Sequence, residues 1–298
     1  MPKEFKSVFI GCVKFSCEML TELINLSHKP DIVITKEMSK FNADFFDLAT
    51  ICKESNINYL YTSDVNAKDV VSTIESINPD VIFCFGWSSL IKNNILSIPK
   101  YGVIGYHPAL LPENRGRHPI IWALALGLKK TGSTFFIMDE GADSGDIISQ
   151  VEVKIDESDS ASILYSKLSK VAKRQLFDIF NQLMNSSLNR IKQSNEKTNS
   201  WRKRGVKDGE IDFRMSTQNI LNLVRALNTP YPGAHFIYNN QEFKGWEATK
   251  GSCESLNLEP GKVLDVENQN ILVKTGDGSI WLLKHELDQL PTKGTYLL

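Results

Sequence analysis

The sequence predicts an α/β fold: an open, parallel-rich twisted sheet with helices on both faces, followed by a smaller, mostly β domain. Three observations predict it. Up to about residue 188, short apolar runs alternate with amphipathic segments, the pattern of strands and crossover helices. Residues 186–211, "SSLNRIKQSNEKTNSWRKRGVKDGEI", are rich in Ser, Asn and Lys and lack sustained periodicity, as a connection between domains would. From His235 onward, brief β-type runs are separated by Gly, Asn and Asp turns. The expected organisation is therefore a large domain over 1–188, a linker over 189–211 and a small domain over 212–298.

Taken in order, strands are expected at Ser7–Ile10, Asp31–Thr35, Asn58–Tyr61 and Asp80–Trp87, with helices between them at Glu18–Leu26, Ala43–Glu54 and Ala67–Ile77. The runs assigned to strands are short and apolar, whereas Val70, Val71, Ile74 and Ile77 recur at helical spacing. Such β-α-β alternation gives parallel strands covered on both faces, with ligands bound beyond the strands' carboxyl ends. A strand at Gly102–His107, a helix at His118–Leu126, strands at Ser133–Met138 and Asp146–Ile155, and a long helix at Ser160–Met184 complete the large domain. The small domain reads as a helix over 216–227 and short antiparallel strands at Ala234–Tyr238, Lys262–Val266, Ile271–Thr275 and Ser279–Leu283.

Composition narrows the function classes. Lys+Arg 34 against Asp+Glu 35 leaves a net charge of −1, which gives no overall attraction to nucleic acid or to an anionic membrane. Cys12, Cys17, Cys52, Cys84 and Cys253 are odd in number, contain no C-x-x-C pair and sit mostly in apolar surroundings, which suits reduced thiols in the cytoplasm. The apolar start "SVFIGCVKF" lacks a small-residue cleavage site and reads as the first strand, not a signal peptide. No run reaches the roughly 20 apolar residues of a membrane span. His28, His107, His118, His235 and His285 are scattered without ligand spacing, so no metal is expected. The turn after the first strand, "GCVKFSCE", is not G-x-G-x-x-G, which argues against nicotinamide or flavin.

Two stretches carry chemistry. In "GYHPALLPENRGRHPIIWALALG", residues 105–127, Pro108 pushes His107 out of the α region, which presents the imidazole at a strand's carboxyl end. In "MDEGADSGDII", residues 138–148, a strand runs into an acidic, glycine-punctuated loop whose carboxylates could orient that imidazole and stabilise its protonated form. Taken singly, Asp139, Glu140, Asp143 and Asp146 read first as turn formers and solvated charges. The loop has neither the alternating oxygen ligands nor the closing glutamate of an EF-hand.

Together these stretches resemble the signature of the folate-dependent formyltransferases, a family that includes enzymes acting on methionyl-tRNA, on glycinamide ribonucleotide and on nucleotide-linked amino sugars. The resemblance is densest over residues 80–150 and continues into "LVRALNTPYPGAHFIYNNQEFKGWEA", which is similar to the start of the family's C-terminal domain. It implies that His107 and Asp143 are catalytic. It also implies formyltetrahydrofolate as co-substrate, with Phe85, Gly86, Trp87 and Leu90 on one side of the pterin and Glu140, Gly141 and Ala142 on the other. The family's asparagine falls on Gly105, which has no side chain. Its role could pass to a water or to the amide of Asn114, folded back toward His107.

Among the acceptors that the resemblance implies, charge disfavours tRNA. Residues 200–298 hold 12 Lys+Arg and 12 Asp+Glu, whereas a tRNA-binding face needs an excess of cations. The expected partner is a small nucleotide-linked amino sugar of surface glycan or lipopolysaccharide biosynthesis, with no nucleic acid and no membrane. Its phosphates would meet Arg115, Arg117 or the linker arginines, and its base would stack on Trp201 or Tyr231; the compact 202–204 basic cluster reads as solvated linker. Other amines including methionyl-tRNA, hydrolysis of the formyl folate, and a non-catalytic folate binder stay open at this point. So does a homodimer.

Overall fold

The computed structural model describes residues 5–39, 42–194, 196–253, 255 and 257–298. In chain order its elements are β1 (Ser7–Ile10), α1 (Lys14–Asn25), β2 (Ile32–Thr35), α2 (Ala49–Ser55), β3 (Tyr59–Tyr61), α3 (Lys68–Ile77), β4 (Val81–Cys84), α4 (Asn93–Leu96), β5 (Val103–His107) and β6 (Arg115–Gly116). They continue as α5 (Pro119–Ala125), β7 (Lys130–Ile137), β8 (Ile147–Lys154), α6 (Ala161–Met184), β9 (Ser200–Trp201), α7 (Thr217–Ala226), β10 (Ala234–Tyr238), β11 (Gln241–Lys250), β12 (Val263–Glu267), β13 (Asn270–Lys274) and β14 (Ser279–His285). The chain divides into two compact units, one of Met1–Pro119, Thr131–Val153 and Ser166–Trp201, the other of Ile120–Lys130, Lys154–Tyr165 and Arg202–Leu298.

The first unit is built on a seven-stranded sheet in the order β3-β2-β1-β4-β5-β7-β8. β3, β2, β1, β4 and β5 are parallel, as the alternation predicts, and β7 then runs antiparallel to β5. β1 and β4 are buried along their whole length, which is why both read as continuous apolar runs and not as alternating ones. Val8, Ile10, Ile34, Ile82 and Val103 from four of these strands pack with Val70, Val71 and Ile74 of α3. Strand order reverses between β1 and β4, and the crevice outside the carboxyl ends at such a switch point is where an open α/β sheet binds ligands.

Several boundaries differ from the sequence expectation, each for a local reason. α1 starts at Lys14, four residues early, because the Ser16 hydroxyl accepts the Val13 N–H at 3.1 Å and caps the first turn. α2 starts only at Ala49, where Asp47 accepts the backbone N–H at 2.9 Å, and stops at Asn56 in the left-handed conformation. The run "DVIFCFGW" leaves the sheet after Cys84, two residues before Gly86 takes a φ of +70°. Residues 186–211 contain β9 and a 3-10 turn at Val206–Gly209.

The second unit holds a five-stranded sheet, β10-β11-β14-β13-β12, with antiparallel pairing throughout, and α7 packs on β11 and β14. Ile220 and Val224 of α7 join Phe236, Val263, Ile271, Val273, Ile280 and Leu282 in its core. β11 went unread in the sequence because "QEFKGWEATK" is largely polar. Its partner strand specifies it: Asn239 and Asn240, at φ of +50° and +61°, make the two-residue reversal that pairs Tyr238 with Gln241. No helix among the described residues is long and apolar enough to cross a membrane, and the five cysteines are all free thiols.

Candidate active site

Beyond the carboxyl ends of β4 and β5, within the first unit, lies a cavity of about 220 Å³. Its wall comes from Cys84, Gly86–Leu90, Gly105–His107, Gly116, Arg117, Phe136, Met138 and Gly141–Asp143. Burial pushes the Cys84 thiol up to about 12, so this cysteine is a packing residue and not a nucleophile.

His107 closes β5 and is only 4% exposed. Its Nε2 lies 2.7 Å from the backbone carbonyl of Asn114. A carbonyl only accepts, so Nε2 carries a proton and, in the neutral ring, Nδ1 holds the lone pair. Nδ1 lies 3.6 Å from Asp143 Oδ2, an ion-pair distance too long for a hydrogen bond. The same Oδ2 accepts the Gly116 N–H at 2.9 Å, which fixes the carboxylate's direction. Asp143 has a φ of +56°, a conformation aspartate tolerates better than most residues, and it is half-buried. Asp139, by contrast, spends Oδ1 inside the loop on Gly141 N–H at 3.0 Å and Ser144 Oγ–H at 2.7 Å, as a turn former does.

The loop that presents Asn114 and Gly116 is held by the chain after α6. β6 pairs with β9, Asn114 N–H donates to Asn199 Oδ1 at 2.7 Å, and Arg117 N–H donates to the Trp201 carbonyl at 3.0 Å. Gln193, 8% exposed, donates to the carbonyls of Asp143 at 2.9 Å and Gly145 at 2.7 Å and accepts from Arg115. Sequence reasoning missed Gln193 and Asn199, and no local signal marks them.

Of the residues expected around a pterin, Gly86, Trp87, Leu90, Gly141 and Ala142 line the cavity. Phe85 and Glu140 do not. Phe85 is fully buried among Phe9, Phe15, Phe83 and Phe135, with ring centroids 5.5 to 6.2 Å away, because strand alternation turns it into the core; Glu140 is exposed on its loop. The Trp87 ring lies under the Lys36 ammonium at 4.6 Å, and its indole N–H is buried without a hydrogen-bond partner. Of the four residues expected on the acceptor, only Arg117 reaches the cavity, and its Nη1 donates to the Ser88 carbonyl at 2.9 Å. Arg115 is turned onto Gln193 at 2.6 Å, Trp201 is engaged in β9 outside the lining, and Tyr231 belongs to the second unit.

The expected substitute for the family asparagine is corrected here. The Asn114 amide pairs with Asn199 at 3.1 Å, and what Asn114 offers His107 is its carbonyl. A Cβ on Gly105 would lie 2.8 Å from Met138 Cγ and 3.0 Å from the Phe136 ring, so apolar side chains fill the space an asparagine would take. Tyr106, on the opposite face, stacks on Phe15 at 4.2 Å.

Residues 8–179 match the model of the formyl transferase family and residues 205–293 that of the formyl transferase C-terminal domain. The chain belongs to the formyl transferase family. Methionyl-tRNA formyltransferase of Clostridioides difficile is 32% identical over 297 residues, covering 98% of this chain and 94% of that protein. WlaRD, a sugar 3N-formyl transferase solved with dTDP and 5-N-formyl-THF, superposes with a TM-score of 0.73 at 21% identity over 96% of this chain and 99% of that one. An N-formyltransferase from Helicobacter canadensis, solved with folinic acid and dTDP-3-aminofucose, gives 0.69 at 17% identity over 94% and 99%. At these identities the two structures show a shared fold. In this formyltransferase the His107–Asp143 pair and its cavity lie at the sheet's carboxyl edge, where the fold binds ligands.

Proposed function

We propose that this formyltransferase moves the formyl group of formyltetrahydrofolate to the amine of a nucleotide-linked amino sugar, a step of surface glycan or lipopolysaccharide biosynthesis. Formyltetrahydrofolate supplies an activated formyl carbon: a bond forms from the acceptor nitrogen to that carbon, the bond to the folate nitrogen breaks, and the amine's proton ends on the leaving nitrogen. His107 Nδ1 takes the proton as the amine attacks. Asp143, 3.6 Å away, stabilises the cation that results, and the new Nδ1–H can donate to the formyl oxygen as negative charge grows there. The unpartnered Trp87 indole N–H and the loop of Gly141 and Ala142 suit a flat, polar-edged ring between them.

The observation that carries the choice of acceptor is how the second unit spends its cations. Arg202 pairs with Asp208 at 2.5 Å, Arg214 with Asp212 at 2.6 Å, Lys244 with Glu242 at 2.5 Å, and Lys262 with Glu259 at 3.2 Å. Arg204 bonds to the Asp208 carbonyl and stacks on Trp122, Arg225 is turned onto the carbonyls of Asp156 and Glu157, and Lys274 is buried on the Thr275 carbonyl. Arg202 and Arg204 of the 202–204 cluster are thus held within their own unit, one on a carboxylate and one on a carbonyl and a ring, which disfavours a phosphate backbone and favours a small acceptor. Five free thiols suit a reducing cytoplasm.

Full-length similarity to methionyl-tRNA formyltransferases favours a second reading, with tRNA as acceptor. Formyl transfer measured against dTDP- and UDP-linked amino sugars, with methionyl-tRNA alongside, separates the two. Turnover with an amino sugar and no submicromolar, salt-sensitive tRNA binding is expected; turnover confined to methionyl-tRNA would sink the sugar assignment.

A further inference from the structure

We propose that Gln193 is a positioning residue for the reaction, acting through Asp143. The proposal rests on the reading of His107 and Asp143 as the reacting pair. Gln193 lies 50 residues from Asp143 in sequence, in a stretch whose composition reads as a linker, yet it is buried and every polar atom of its amide is engaged. Arg115 donates from Nη2 at 2.6 Å and from Nε at 3.2 Å to Gln193 Oε1. With Oε1 fixed as the acceptor, Nε2 must face the other way, and it donates to the carbonyls of Asp143 and Gly145 at 2.9 and 2.7 Å.

The loop needs such a clamp. Asp143 holds a left-handed φ of +56°, and Gly145 passes so close to Ile137 that any Cβ would collide with its carbonyl. Between these two points the backbone could rotate the Asp143 carboxylate off Nδ1. Two hydrogen bonds from one buried amide remove that freedom, while Gly116 N–H holds the carboxylate from the other side at 2.9 Å. Arg115 is thereby a support for the amide. A displacement of about 1 Å at a reacting group can cost on the order of 100-fold in rate, so a side chain that touches no substrate can control turnover.

Gln193→Leu keeps the size and removes every hydrogen bond. Expected is a fall in kcat of about 100-fold, with KM for formyltetrahydrofolate held within about threefold because Gln193 itself is not part of the cavity wall and Gly86, Trp87 and Leu90 opposite the loop are unaffected. In ¹⁵N-labelled protein the His107 Nδ1 signal, identified by its loss in His107→Asn, should move while Nε2, held by the Asn114 carbonyl, stays. In an Asp143→Asn background Gln193→Leu should cost less than about twofold more, since residues acting through one group are not additive. Should Gln193→Leu fail to fold, Gln193→Glu carries the same test: it keeps the acceptor for Arg115 and loses both donations. Turnover is followed with dTDP-3-aminofucose or methionyl-tRNA, whichever is the substrate. Wild-type kcat and an unmoved Nδ1 in the folded variant, or full additivity with Asp143→Asn, overturns the proposal. Wild-type turnover in Asp143→Asn overturns the catalytic reading instead.

Discussion

At the residue scale, the imidazole of His107 is set by what each ring nitrogen faces. Nε2 is committed to a carbonyl and Nδ1 to the space before a carboxylate, so the ring has one nitrogen to offer a proton in transit. His107→Asn and Asp143→Asn are expected to stay folded and to lose at least about two decades in kcat, the usual weight of acid–base groups. Stopped-assay turnover with a monitored unfolding midpoint checks both halves of that statement. Gly105 makes an opposite prediction. Restoring the family asparagine by Gly105→Asn should cost about 1 to 3 kcal/mol of stability by overpacking against Met138 and Phe136, and adding Met138→Ala should recover part of it. Urea denaturation of the single and double variants measures the difference.

At the element scale, short polar contacts decide where helices start and how strands pair. Ser16 shows the economy of this: its hydroxyl accepts from Val13 and donates to the Phe85 carbonyl at 2.5 Å, so one side chain starts α1 and ties it to the chain leaving β4. β11 is an element whose own composition argues against it. A polar run becomes a central strand because the Asn239-Asn240 turn folds it back on β10 and β14 covers its other edge. Asn240→Val, which resists a φ of +61°, should therefore destabilise the second unit by about 1 to 2 kcal/mol, whereas Asn240→Gly should be tolerated. Unfolding midpoints of the two variants, compared with wild type, give the check.

At the scale of the whole molecule, net charge is near zero at pH 7, and pH acts through particular groups, one of them a buried imidazole. His28 sits against Phe180 at 4.9 Å and Phe5 at 5.6 Å, bonded to the Ser7 hydroxyl at 2.7 Å, and burial lowers its pKa from 6.5, with Asp31 opposing. The unfolded chain therefore takes up a proton near pH 6.5 that the folded ring refuses. Stability from this site is present above 6.5 and is lost as pH falls from there toward the lower folded value. The drop in urea midpoint between pH 7.5 and 5.5 should be larger in wild type than in His28→Gln; equal drops would remove His28 from the account. At still lower pH, Asp208, held down by its hydrogen bonds to Arg202, loses its contribution as it protonates.

The sequence by itself determined the parallel half of the first sheet, the long helix α6, the place of His107 at a strand's end and the order in which the acidic loop follows it. Those features are written in periodicity, in Pro108 and in glycine placement, all of which act within a few residues. Tertiary structure alone decided the antiparallel turn at β7, the burial of Phe85, and the apolar filling beside Gly105. It also set the 3.6 Å between the imidazole and Asp143, the carboxylate that the family resemblance singles out, and it brought Gln193 and Asn199 onto loops 50 and 85 residues away. Contacts of that span carry no local signal. Which polar groups they satisfy is fixed only when packing excludes water and every buried donor must find an acceptor.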